Sequence, residues 1–204
     1  RIKVCKFGYD SGSLKVSMST TGRRTIVGSS VAPFRLVFLM WLVFVLDFIY
    51  GFDLTWLGLR PRTMEGLTGI VFAPILHGNL QHLISNTLPT LFLGGALYFS
   101  YQRIAARVFV GCYVGTGILV WIFARPSYHI GASGLVYALA AFLIAFGFFR
   151  RDFVSLMIAA VVLFVYGSIF YGVLPSAPHI SWESHLFGAI VGVFLAYTFK
   201  QARV

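Results

Sequence analysis

The chain has 204 residues, of which 58% are apolar and 11% charged, with a mean hydropathy of +0.85. That balance excludes an ordinary water-soluble domain and identifies a multi-pass membrane protein. The net charge of +10 does not indicate nucleic acid, because the basic residues fall between apolar runs instead of alternating with aromatic residues on a polar face.

Residues 1–30 mix Lys, Arg, Ser, Thr and Gly without a sustained period, and read as an N-terminal cytoplasmic tail or the remnant of an extramembrane region. The chain starts at Arg1 with no short apolar stretch followed by a small-residue cleavage site, so it reads as a trimmed chain or fragment. Cys5 lies in this polar stretch and Cys112 inside an apolar run; a disulfide between them is not expected, and no metal-type spacing exists.

Crossing about 30 Å of hydrocarbon takes about 20 helical residues. Apolar runs of this order lie near 33 to 51, 82 to 100, 104 to 124, 132 to 149, 153 to 173 and 184 to 199, which predicts an all-α core of six transmembrane helices over 31–204. The longest connection, 52–81, carries Trp56, Pro61, Phe72 and Pro74 and is expected to fold as a loop in the membrane interface. With a cytoplasmic N-terminus, thirteen Lys or Arg (1, 3, 6, 15, 23, 24, 35, 103, 107, 150, 151, 200, 203) lie inside and three (60, 62, 125) outside. That asymmetry puts both termini in the cytoplasm.

In this orientation Ser133, His185, His82 and Asn86 all fall at outer helix ends. Charged side chains at the centre of a membrane span cost about 2.5 to 3.5 kcal/mol on insertion scales, and polar groups in apolar spans are unfavourable in the same sense, so four of them at one depth require a reason. A serine hydroxyl is a weak nucleophile until a base takes its proton, and an imidazole suits that role near neutral pH, which makes Ser133 the candidate nucleophile and His185 the base. His82 and Asn86, at i and i+4, share one helix face and are placed to donate to an oxyanion beside the Ser133 amide. Bringing Ser133 and His185 together requires close helix packing. Gly134, Ala138, Ala141 and Ala145 form a small-residue stripe on one helix, and His185, Gly188 and Gly192 share a face of the other. Gly131 and Gly134 bracket the nucleophile where a tight backbone entry is needed, and Tyr137 lies one turn below, in reach of the His185 ring.

Each residue alone has an ordinary reading. A serine here can be an N-cap, His185 an interfacial histidine, and Asn86 a helix-to-helix contact of about 0.6 kcal/mol. His77 reads as a structural residue bonding the loop, and His129 and His179 as solvated or cap-forming loop residues. Asp47 reads as a helix-end charge, and Arg150-Arg151 as a cytoplasmic anchor. Glu183, two before His185, is not placed to complete a triad.

The combination of His82-Leu83-Ile84-Ser85-Asn86, Gly131-Ala132-Ser133-Gly134 with Tyr137, and His185-Leu186-Phe187-Gly188-Ala189-Ile190-Val191-Gly192 resembles the rhomboid intramembrane serine proteases over about residues 33 to 199. The resemblance implies a Ser133–His185 dyad without a carboxylate, and an oxyanion site from His82, Asn86 and the Ser133 amide. It implies no metal or cofactor, and substrates that are transmembrane segments of other proteins, in a bacterial-type cell membrane with the site opening outward. It also makes the fifth span and the 174–184 loop a lateral gate and cap. Two positions depart from the family pattern: Gly58-Leu59-Arg60-Pro61-Arg62 with Trp56 nearby stands where a Trp-Arg pair is usual, and Ser184 replaces a smaller residue.

The competing reading is a non-catalytic protein of the same fold that binds transmembrane helices, although a pure binder has no use for a nucleophile beside a base. A transporter predicts repeated halves and midspan charges, and a zinc intramembrane protease predicts His-Glu-x-x-His; neither pattern is present.

Overall fold

The structure is a computed structural model that describes residues 3–10, 13–20, 26–175 and 181–204. Residues 1–30, read above as a tail, contain a hairpin: β1 (Lys3–Asp10) pairs antiparallel with β2 (Ser13–Thr20), Lys3 opposite Thr20 and Asp10 opposite Ser13. The first helix, α1 (Ile26–Tyr50), also begins inside that stretch and runs through Pro33. A proline ring inside a helix needs room, and Gly94 of the next long helix supplies it, since a Cβ on Gly94 would stand 2.7 Å from Pro33 Cβ.

Residues 51–79 are a chain of short elements: 3₁₀ turns at Leu54–Leu57, Glu65–Leu67 and Ala73–Ile75 around the single-turn α2 (Gly69–Phe72). Then follow α3 (Leu80–Ser100), α4 (Gln102–Phe123), α5 (Ser133–Arg150), α6 (Phe153–Tyr166) with a 3₁₀ extension Gly167–Val173, and α7 (Trp182–Phe199). Asn79 starts α3 by accepting the His82 amide, and Asp152 starts α6 by accepting the Ser155 amide. Val31–Tyr50, Gln102–Phe123 and Ser133–Arg150 are long and apolar enough to cross a membrane. Apart from the hairpin and the isolated bridge between Leu59 and His129, the regular elements among the described residues are all helical.

The axis of the fold is α5. It is apolar on every side, and twelve of its eighteen residues are buried, so it sits inside the other helices instead of on their surface. The outer faces of α1, α4, α6 and α7 leave Phe48, Val110, Phe153, Phe164 and Phe194 exposed, a surface suited to lipid.

The most extensive helix contact is between α5 and α7. The two backbones meet through glycine: a Cβ on Gly188 would run into Gly134 O, and one on Gly192 into Ala138 O, with Phe142 N at 2.9 Å. This is the small-residue packing that brings helices together where lipid supplies no hydrophobic push. On the other side of α5, Gly147 lies against α6, where its Cβ would stand 2.6 Å from Ala159 Cβ.

Candidate active site

Ser133 is the first residue of α5, and the segment 124–132 aims it. His129 pairs with Leu59 through two backbone hydrogen bonds, N–H to O at 2.9 and 3.0 Å, and Gly131 N donates to Ala73 O at 2.8 Å, so this segment is fastened to the first loop. Gly131 has φ +102, a conformation that L side chains rarely adopt, and a Cβ there would enter the His82 ring. The intrahelical ladder of α5 opens with Val136 N to Ala132 O at 3.0 Å. The amides of the first turn, Ser133 among them, therefore lie outside the ladder and are available as donors.

His185, in the first turn of α7, meets the nucleophile: its Nε2 lies 2.9 Å from Ser133 Oγ. Its Nδ1 lies 2.9 Å from the carbonyl oxygen of Gly172, to which it donates. With Nδ1 carrying the proton, Nε2 is left as the acceptor of the serine hydroxyl, the tautomer a general base needs. The Tyr137 ring stacks on the imidazole with centroids 4.1 Å apart and planes 4° apart, fixing its tilt. Gly172, in the 3₁₀ extension of α6, was not singled out in the sequence. Its contribution is a backbone carbonyl, and its lack of a side chain matters because a Cβ would collide with the Tyr137 hydroxyl.

His82 and Asn86 face the same place from α3. The His82 imidazole packs against Gly131, and Asn86 Nδ2 lies 3.7 Å from where a Gly131 Cβ would be. Asn86 is 3% exposed and uses one N–H of Nδ2 on His82 O at 2.9 Å, leaving its second N–H for another acceptor. Imidazole and carboxamide thus converge two residues before Ser133. Among the described residues, no group of three or more His, Cys, Asp or Glu is placed to hold a metal ion.

Other titratable residues surround this centre. His77 is buried, its Nδ1 3.2 Å from Ile75 O, and its ring meets that of His82 edge to face at 4.9 Å. Burial, and secondarily the His82 ring, lower its pKa from 6.5 to about 4. His129 is not a solvated loop histidine: it is 3% exposed, held by Arg125 O at 3.2 Å and by Ser181 Oγ, and burial lowers its pKa. Glu183 points away from the dyad onto Arg125, Oε1 to Nε at 3.2 Å. His179 lies outside the described residues. The first loop is fastened to α4 without a Trp-Arg pair: Arg62 Nη1 donates to Ala124 O at 2.7 Å and to Ile122 O at 3.2 Å, and Trp121 Nε1 donates to Thr63 O at 2.9 Å.

Comparison with known proteins bears on the same residues. A family model described as Rhomboid domain matches residues 64–202, a stretch that contains all four candidate site residues. Uncharacterized proteins of Mycobacterium bovis and Mycobacterium tuberculosis are 37% identical to this chain over 184 residues, covering 86% of it and 76% of each relative. A protein of Arabidopsis thaliana named RHOMBOID-like protein 4 is 30% identical over 127 residues, 60% of this chain and 31% of that one.

Proposed function

Because the chain belongs to the rhomboid family, we propose that it is an intramembrane serine endopeptidase that cuts transmembrane segments of other membrane proteins with a Ser133–His185 dyad. The observation that carries this reading is the 2.9 Å contact between Ser133 Oγ and His185 Nε2, with the other ring nitrogen committed to Gly172 O.

His185 Nε2 takes the hydroxyl proton as Ser133 Oγ bonds to the scissile carbonyl carbon. The carbonyl oxygen becomes an oxyanion, for which the His82 ring, the free N–H of Asn86 and the Ser133 amide are the donors, each contributing on the order of 100 to 1,000-fold in rate. The imidazolium then protonates the leaving amine, and an acyl ester remains on Ser133. Water attacks the ester with His185 again as base, the acid is released, and the serine regains its proton. The Gly172 carbonyl takes the orienting role that a carboxylate has in a triad.

In this reading six helices, α1 and α3 to α7, span the bilayer, both termini are cytoplasmic, and the dyad lies near the outer surface. The substrate helix must unwind locally, because a peptide bond inside a regular helix has its carbonyl engaged. The outer part of α6 and the segment 174–184, which ends in the first turn of α7, serve as gate and cap, although residues 176–180 lie outside the described residues.

The test is cleavage of a model transmembrane substrate in proteoliposomes. Ser133→Ala and His185→Ala should each abolish cleavage while the proteins stay folded. Near-normal turnover by Ser133→Ala would refute the mechanism.

A further inference from the structure

The segments that lead into the dyad are joined to each other by side chains the mechanism above does not use. Ser181 occupies the N-cap position of α7, where a hydroxyl ordinarily accepts a helix amide, yet it makes no cap bond. Its Oγ is turned instead to His129 Nδ1, and lies 2.6 Å from Ser184 Oγ. His129 Nε2 donates to Arg125 O at 3.2 Å, so Nδ1 accepts from Ser181, and Ser181 in turn accepts from Ser184. Arg125 closes the ring of contacts from its side chain, with Nε 3.2 Å from Glu183 Oε1. His129 and Glu183 are 3% and 4% exposed, so neither partner can be withdrawn without stranding a polar group away from water.

The register of these contacts is informative. His129 stands four residues before Ser133, and Ser181 four residues before His185, so the His129–Ser181 bond and the Ser133–His185 bond have the same separation of 52 in sequence. The two chain segments enter α5 and α7 side by side, joined one step upstream of the dyad. Below the dyad, Gly188 and Gly192 lie against the α5 backbone, so at these two positions the helices meet without interlocking side chains. A 2.9 Å hydrogen bond does not survive a slide of about 1 Å.

We infer that Arg125, His129, Ser181 and Glu183 form a polar clasp that fixes the axial register of α7 against α5, which makes Ser181 and Glu183 positioning residues for His185. The catalytic consequence rests on the protease reading; the geometric one does not.

The experiment compares Ser181→Ala, Glu183→Ala and Glu183→Asp with the parent chain in detergent, reading kcat, KM, Tm and the ¹⁵N resonances of the His185 imidazole, with Ser133→Ala marking the resonance of an imidazole without its serine. Glu183→Ala leaves the Arg125 guanidinium without its carboxylate and lowers Tm. Ser181→Ala leaves the buried His129 Nδ1 without its donor, which lowers Tm modestly, but it removes no α7 cap bond, so the protein still folds. The clasp predicts that kcat falls in both, on the order of 100-fold for a misplacement of about 1 Å, that KM is unchanged, and that the His185 resonances move toward those of Ser133→Ala. Glu183→Asp, which keeps the charge, recovers part of the rate. Parent-like kcat and His185 resonances in Ser181→Ala, whatever the Tm of Glu183→Ala, would overturn the inference. The NMR readout does not depend on turnover, so a parent chain that cleaves nothing would count against the protease reading while the resonances still decided the clasp.

Discussion

Substituting Gly188 by alanine tests whether the glycine contact between α5 and α7 is what brings the dyad into range. The added Cβ would run into Gly134 O and stand 3.1 Å from Gly134 C and 3.3 Å from Ala138 N, all backbone atoms that cannot turn aside. Moving the methyl out to ordinary contact, about 3.5 Å, separates the helices by on the order of 1 Å. Gly188 lies one turn below His185, so the separation carries the imidazole with it. The Ser133 Oγ to His185 Nε2 distance of 2.9 Å then grows to about 4 Å, beyond hydrogen-bond range. Overpacking of this kind costs about 1 to 3 kcal/mol of stability, whereas misplacing a catalytic group by about 1 Å costs on the order of 100-fold in rate. Turnover of a transmembrane substrate should therefore drop about a hundredfold in a protein that still melts cooperatively a few degrees lower. Gly188→Ala with the turnover of the parent chain would refute the idea that this contact sets the dyad distance.

Three further outcomes follow from the geometry. Gly172→Ala should lower turnover on the order of 100-fold, because its Cβ meets the Tyr137 hydroxyl and drives the carbonyl off His185 Nδ1; adding Tyr137→Phe should restore part of the rate, and a double variant no better than the single would contradict the collision. Asn86→Ala and His82→Ala should each lower kcat by about 100 to 1,000-fold with little change in KM, since an oxyanion donor acts in the transition state; a rise in KM at unchanged kcat would show a binding role instead. His77, with a pKa lowered from 6.5 to about 4, binds its proton more weakly folded than unfolded, so its contribution to stability is complete above pH 6.5 and is lost as the pH falls toward 4. The loss amounts to about 3 kcal/mol at 1.36 kcal/mol per unit. Melts between pH 4 and 7 should show a shallower acid side for His77→Gln than for the parent, and superimposable profiles would count against it.

Much of the helix layout is visible in the chain because hydrocarbon demands long apolar runs. The run near 82 to 100 falls on Leu80–Ser100, that near 104 to 124 on Gln102–Phe123, and that near 132 to 149 on Ser133–Arg150. The start of α1 is hidden because Gly28, Ser29, Ser30 and Pro33 look like a helix boundary, whereas the space over Gly94 lets the helix pass through Pro33. Ser133, His185, His82 and Asn86 are visible because polar side chains in long apolar runs are costly and therefore conspicuous. Gly172 is not, since a carbonyl contribution leaves no residue-type signal. The burial of His129 is hidden for a related reason: loop position is compatible with a solvated or a cap-forming histidine, and its partner Ser181, at the N-cap of α7, lies 52 residues away and is joined to it only by the packing of α7 on α5.

The most direct test of the account is treatment of the purified protein with a fluorophosphonate serine probe, with the adduct located by mass spectrometry. A Ser133 hydroxyl activated by His185 predicts a single adduct on Ser133, lost in Ser133→Ala and strongly slowed in His185→Ala. Absence of labelling in a folded protein, or labelling of Ser133 at the same rate with His185 replaced, would contradict it.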